Sequence, residues 1–358
     1  MTSRERVLTT LARQEPDRVP INYSANPGID ARLKQHFHLA AGDSEGLKRT
    51  LGVDFREVRA AYVGPPLHAD IPDRQVDPLW GKRTRWIEHD SGGYWDYCDF
   101  PLQTATEADI AAWPSPSADD YDYQAFAAAA QCRHDEQVAV FLGNPGLGDI
   151  INSNGMVRSM EQVLVDLALD DPAGLALIDR KVEHELAVTR RCLEVAGENI
   201  DFIWLGEDLG TQRGPLLSLE MYRRHIRPRH ARYVDLATEF GKPVMIHTCG
   251  SSSWAYDDFI DMGVAAVDTL QPEAKDMEPA FLKSRYGEHL AFHGCISTAG
   301  PVAYGTVDEV ISVCQQTLET MMPGGGYCFA PTHQLQDNSP VENVVAMYDA
   351  VLRFGRYD

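Results

Sequence analysis

The sequence predicts an α/β protein of the (β/α)8 TIM-barrel class, with an N-terminal helical extension and an inserted β-hairpin. Three observations predict it. From about residue 136 onward, short apolar runs alternate with helical segments, without a Gly/Pro/Ser linker or low-complexity tract. Parallel strands need such crossovers, and their serial repetition fits a barrel better than an open sheet. No glycine-rich phosphate turn follows an early strand, as a doubly wound sheet would want. Finally, the polar residues with chemistry to offer gather at the ends of the strand candidates.

The elements follow in order. Residues 1–60 alternate helical stretches (Arg4–Arg13, Ala31–Leu39, Asp43–Leu51) with one short strand candidate, RVPINYS. Residues 76–103 form the insertion: WGKRTRWIEHDSGGYWDYCDF alternates aromatic and polar residues around Gly92 and Gly93, a hairpin signature. The regular series then begins with QVAVFLGN, followed by helical residues 157–169 and a long helix over 172–196. DFIWLGED precedes SLEMYRRHIRPRHARYVDLATEF, a helix that Pro228 should kink. PVMIHTCG, AAVDTLQ, HLAFHGC and GYCFAP each lead into a helix in turn. The expectation is one domain spanning residues 1–358.

Composition narrows the function. With 44% hydrophobic and 24% charged residues, the 358-residue chain can bury a sizeable core. A net charge of −21 argues against nucleic acid, since nothing would neutralise phosphates, and keeps the surface soluble. No apolar run approaches the ~20 residues of a membrane helix. The opening MTSRERVLTTLARQ lacks an apolar secretion core. The seven cysteines are odd in number, scattered and without a CxxC pair, which suits a reduced, cytoplasmic setting.

Barrel active sites lie at the C-terminal ends of the strands. Those ends supply Asn144, Glu207 and Asp208, His247 and Cys249, Gln271 and Glu273, His293 and Cys295, then His333. In VMIHTCGSS, residues 244–252, His247 and Cys249 are two apart and share a face of an extended segment. Zinc suits His and Cys, and a catalytic site holds three protein ligands. The third comes from the last strand unit: His333, in APTHQLQ past the strand end, or Cys328 inside GYCFAP, deeper in the barrel. HxC alone is a short pattern, and a buried cysteine is commonly a small apolar filler. Glu207 and Asp208 could orient a substrate or act as acid and base, or could simply start a helix. Asn144, Gln271 and His293 are candidates for substrate contact; Asn144, before Pro-Gly, could equally shape a turn.

The chain also resembles the uroporphyrinogen decarboxylase superfamily over essentially its full length. SRERVLTTLARQEPDRVPI is similar to that family's N-terminal helix and first strand. EDLGTQRGPLLSLEMYRRHIRPRH, IHTCGSSSWAYDDFIDMGV, QPEAKDMEPAFLKSRYGEHLAFHGCIST and PGGGYCFAPTHQLQDNSPVENVVAMYDA resemble its later blocks in order. The resemblance implies a (β/α)8 barrel and one of two chemistries. One branch decarboxylates a tetrapyrrole without metal, yet its arginine-rich motif is unmatched here, where the segment reads INYSANPGID. The other comprises zinc-dependent methyltransferases that work with cobalamin carried by a partner protein. The HxC resembles the start of that branch's zinc site. Its third ligand is a cysteine in an APGC-like segment, which reads APTH here and would put His333 in the position. Imidazole for thiolate lowers the negative charge and puts a thiol acceptor in doubt. No DxHxxG segment of a cobalamin domain is present, so the corrinoid protein would be a separate partner. The expectation is a zinc-dependent corrinoid methyltransferase. A metal-independent decarboxylase of a small carboxylated substrate is the alternative, and a barrel that only binds a ligand the third possibility.

Overall fold

The computed structural model describes residues 1–89 and 92–357. Seven parallel strands form the central sheet: β1 (Phe55–Val58), β2 (Ala139–Gly143), β3 (Phe202–Gly206), β4 (Val244–Thr248), β5 (Ala266–Thr269), β6 (Ala291–Ile296) and β7 (Tyr327–Pro331). Each pairs with the next in chain order, an α/β arrangement with helices between strands, as in a TIM-barrel-like fold. Between β7 and β1 runs the stretch 20–22. Its backbone bonds Phe329 on one side (Phe329 N–H to Pro20 O, 2.8 Å; Asn22 N–H to Phe329 O, 2.9 Å) and Asp54 on the other (Asp54 N–H to Ile21 O, 2.8 Å).

Alternation within the strands sorts the side chains into two cores. Val244 and Ile246 of β4 join the outer core beneath the helices, whereas Met245 joins Phe55, Phe141, Phe202, Trp204, Ala266, Ala291 and Cys328 inside. The helix Ser3–Leu11 closes the lower end, adding Val7 and Leu11 to that inner cluster. Its start is fixed by a capping box between Thr2 and Glu5. Arg6 and Arg18 both pair with the buried Asp54, at 2.7 and 2.8 Å, which ties the N-terminal helix and the 20–22 stretch to β1.

Two further helices, Pro27–His36 and Ser44–Thr50, precede β1. A three-stranded sheet includes the antiparallel pair Arg83–His89 and Gly92–Tyr97, centred on Trp86 opposite Trp95. The turn of the expected hairpin, Asp90–Ser91, lies outside the described residues. At Pro228 the helix is interrupted as the ring requires: a π-turn over Tyr222–Ile226 precedes the α-helix Arg227–Glu239. Among the described residues no helix is long and apolar enough to cross a membrane.

Candidate metal centre

Strand register builds the centre of the site. His247 of β4 sits opposite Asp268 of β5, which sits opposite His293 of β6. Asp268, 2% exposed, therefore lies between two imidazoles and accepts from both: His247 Nδ1 at 2.5 Å and His293 Nδ1 at 2.5 Å. Burial would push its carboxyl up, but the charges and hydrogen bonds of His293 and His247 outweigh it and hold the group well below the usual range. His293 Nε2 lies 3.0 Å from the Asn22 side-chain amide.

With Nδ1 engaged by Asp268, His247 presents Nε2 to Cys249 Sγ, 3.3 Å away. Asp208 Oδ1 stands 3.7 Å from the same Nε2 and accepts the Cys249 backbone N–H at 3.0 Å. Its other oxygen accepts from Asn152 Nδ2 at 2.9 Å. The ligand atoms of Asp208, His247 and Cys249 all lie within 4.8 Å of one another. Two ligands of a tetrahedral zinc are separated by roughly 3.5 Å, given Zn–N and Zn–S lengths of about 2.0–2.3 Å. The two spacings from His247 Nε2, 3.3 and 3.7 Å, match that figure, and the third pair lies within 4.8 Å, so the three donors could share one ion. A carboxylate orienting the far nitrogen of a histidine ligand is also the usual outer support of a zinc site. Burial pushes the Cys249 thiol up, partly offset by His247.

Glycines make the geometry possible. Gly250, at φ +69°, turns the chain just after Cys249, and a Cβ there would meet Gly210 backbone at 2.5 Å. Gly206 lets the Asn144–Pro145 loop pack on the end of β3, where a Cβ would lie 1.8 Å from Pro145 O.

The remaining sequence candidates take other places. His333 sits across the opening, its ring centroid 6.2 Å from that of His247. Two imidazoles on one tetrahedral ion have centroids about 5 Å apart, so His333 stands outside the compact group by about an ångström. Cys328 lies in the inner apolar core below the site, and burial holds its thiol well above its usual value. Glu207 turns away from the opening: it is 1% exposed and accepts the backbone N–H groups of Ile150 (2.8 Å) and Ile151 (3.1 Å) at the start of the helix Ile151–Arg158. Burial, then the neighbouring Asp149, pushes its carboxyl well up. Gln271 orders the turn after Cys249, accepting Gly250 N–H at 2.6 Å. Asn144 accepts Gly146 N–H at 2.8 Å and donates to Glu57 at 3.3 Å.

Two cavities meet at this group. One of about 480 Å³ opens within the barrel mouth, walled by Phe55, Phe141, Trp204 and His293. The other, about 630 Å³, runs beneath the hairpin past Tyr97, Asp149, Met156 and Met160. His247 and His333 line both. Sequence reasoning missed Asp268, although an acid inside the apolar run AAVDTLQ was a usable signal. It also missed Asp149 and Lys48, whose loop and helix placements carry no comparable mark.

Residues 175–354, half of the chain, match the profile described as "Uroporphyrinogen decarboxylase (URO-D)". The chain belongs to the URO-D family. A solved structure described as a methyltransferase from Methanosarcina mazei aligns over 99% of this chain and 99% of its own, at 16% identity and a TM-score of 0.65. That likeness establishes a shared fold for this URO-D member. A D-psicose 3-epimerase structure, in the presence of D-fructose, covers 66% of this chain and 84% of its own at 11% identity; its TM-score of 0.38 supports no argument. No curated protein matches the sequence.

Proposed function

We propose that this URO-D family protein is a zinc-dependent methyltransferase that moves a methyl group between a small-molecule substrate and a separate corrinoid protein. The whole chain is read as one (β/α)8 unit, with the 20–22 stretch as the eighth stave. The observation that carries the proposal is the group Asp208, His247 and Cys249, whose donors have the spacing and chemistry of a zinc site. Family membership and a fold shared with a methyltransferase support it.

Zinc held there would activate a heteroatom of the substrate for methyl exchange by its positive charge. The chain's own residues do the rest. Asp268 fixes the His247 ring, Asn152 and the Cys249 backbone N–H fix Asp208, and Asp208 is the charged group closest to the reacting heteroatom. His333, on a loop past β7, lines the opening and would reach the ion, in place of Asp208, after a side-chain shift of about an ångström. Asn144 and His293 border the substrate, whereas Glu207 holds the helix that supplies Asn152.

The test is a metal analysis of protein purified without added zinc, joined to a turnover assay with free or protein-bound methylcobalamin. Stoichiometric zinc and cobalt-dependent methyl transfer are expected. Metal-free protein that releases carbon dioxide from a carboxylic acid would transfer the assignment to the decarboxylase chemistry of the same family.

A further inference from the structure

We propose that the barrel-mouth cavity is built to take a small aromatic monocarboxylate, its ring held between Phe55, Phe141 and Trp204 and its carboxylate at Lys48. The inference deepens the functional reading above by naming a substrate class, and it relies on that reading only for where the reacting atom sits.

The walls come first. Trp204 packs against Phe141 and against His293, with centroids 5.1 Å apart in each case, and Phe55 stands 5.6 Å from His293. Aromatic walls of this kind favour a flat partner, through offset and edge contacts worth more than area alone. At about 480 Å³ the cavity is in the range of small-molecule pockets. A single substituted ring fits it, whereas a tetrapyrrole would overfill it.

One cation on those walls lacks a partner among the described residues. Lys48 lines the same cavity, and its ammonium makes no hydrogen bond or ion pair among the described residues. Burial lowers its proton affinity, with Arg56 adding to the effect. The other cation of the lip, Arg59, is already matched by Glu57 at 2.7 Å. One unmatched positive charge, beside a carboxylate and in a chain of net charge −21, suits one negative charge and disfavours a dianion.

Calorimetric titration of the purified full-length protein tests this, with benzoate, its neutral analogue benzamide, and acetate as probes. Benzoate should bind at least about tenfold more tightly than benzamide, the size expected for a hydrogen bond to a charged group, and acetate more weakly than either. Lys48→Met should erase the preference for benzoate and leave benzamide unchanged, while Lys48→Arg retains the preference. Trp204→Phe should weaken both aromatic probes. Equal binding of benzoate and benzamide, a preference that survives Lys48→Met, or acetate binding as tightly as benzoate would overturn the proposal. Titrations need no metal and no turnover, so a protein that discriminates the probes yet carries no zinc and transfers no methyl group refutes the proposed function alone.

Discussion

His247 and Cys249 are two residues apart, and their Nε2 and Sγ lie 3.3 Å from each other. Side chains at i and i+2 of a regular strand stand on one face but some 6–7 Å apart along it. The approach is closer because β4 ends at Thr248 and the chain turns at Gly250. Asp208 then arrives from the end of β3, so two adjacent strands converge on one point. The pairing of β4 with β5 aligns His247 with its orienting carboxylate.

Asp268→Asn tests that orientation. An asparagine offers one acceptor where two imidazole N–H groups now meet a carboxylate, so the His247 ring loses its fixed tautomer. Zinc affinity should fall about 10–100-fold, the usual effect of losing such a support. Competition with a chelating dye measures it, and far-ultraviolet circular dichroism shows whether the fold persists. Unchanged affinity in a folded variant would mean that Asp268 serves packing only.

Removal of single donors should separate the ligand set. Cys249→Ala and Asp208→Asn are each expected to lower zinc occupancy, with the larger loss for the thiolate. His333→Ala should lower occupancy less than either, because its ring stands outside the compact group. Since metal displaces protons from Cys249 and His247, affinity in the parent protein should also rise with pH. If His333→Ala strips the metal as fully as Cys249→Ala, His333 is a primary ligand and moves inward on binding.

Periodicity made much of this fold legible. The apolar runs after residue 136 name the successive strands, and the strand ends name His247, Cys249 and Asp208, since both patterns are local. What stayed hidden depends on register and loop geometry. Glu207 and Asp208 are adjacent in sequence, yet only Asp208 reaches the opening while Glu207 turns back to a helix start. No periodicity distinguishes them. Lys48 reaches the cavity from a short helix before β1, a tertiary placement that its own segment does not encode.

Glu207 gives a stability prediction. Glu207→Ala would leave the N–H groups of Ile150 and Ile151 without their acceptor, at about 1–3 kcal/mol for each buried group left unmet. Glu207→Gln keeps only one of the two carboxyl oxygens that accept these N–H groups, so it should cost about half as much. Denaturant midpoints of the metal-free proteins would show the contrast. Equal destabilisation by both would mean that the side chain is needed as a carboxylate.

Asp149 gives the pH dependence. Its carboxyl is buried beside Glu207, and burial pushes it up to about 7, with Asp208 and Glu185 adding to the rise. Its ordinary value is 3.8, so between these limits the folded chain holds a proton that the unfolded chain releases. The folded state is therefore favoured at the acidic end, and this contribution is lost as pH rises through about 7. Asp149→Asn removes the titration while keeping an acceptor for the Asn152 N–H that Asp149 now bonds at 3.0 Å. In metal-free protein the variant should gain stability relative to the parent on going from pH 5 to pH 8, measured as the difference in denaturation midpoint at each pH. A constant difference would show that Asp149 ionises as an ordinary surface acid does, and that the carboxyls around the second cavity do not share a proton.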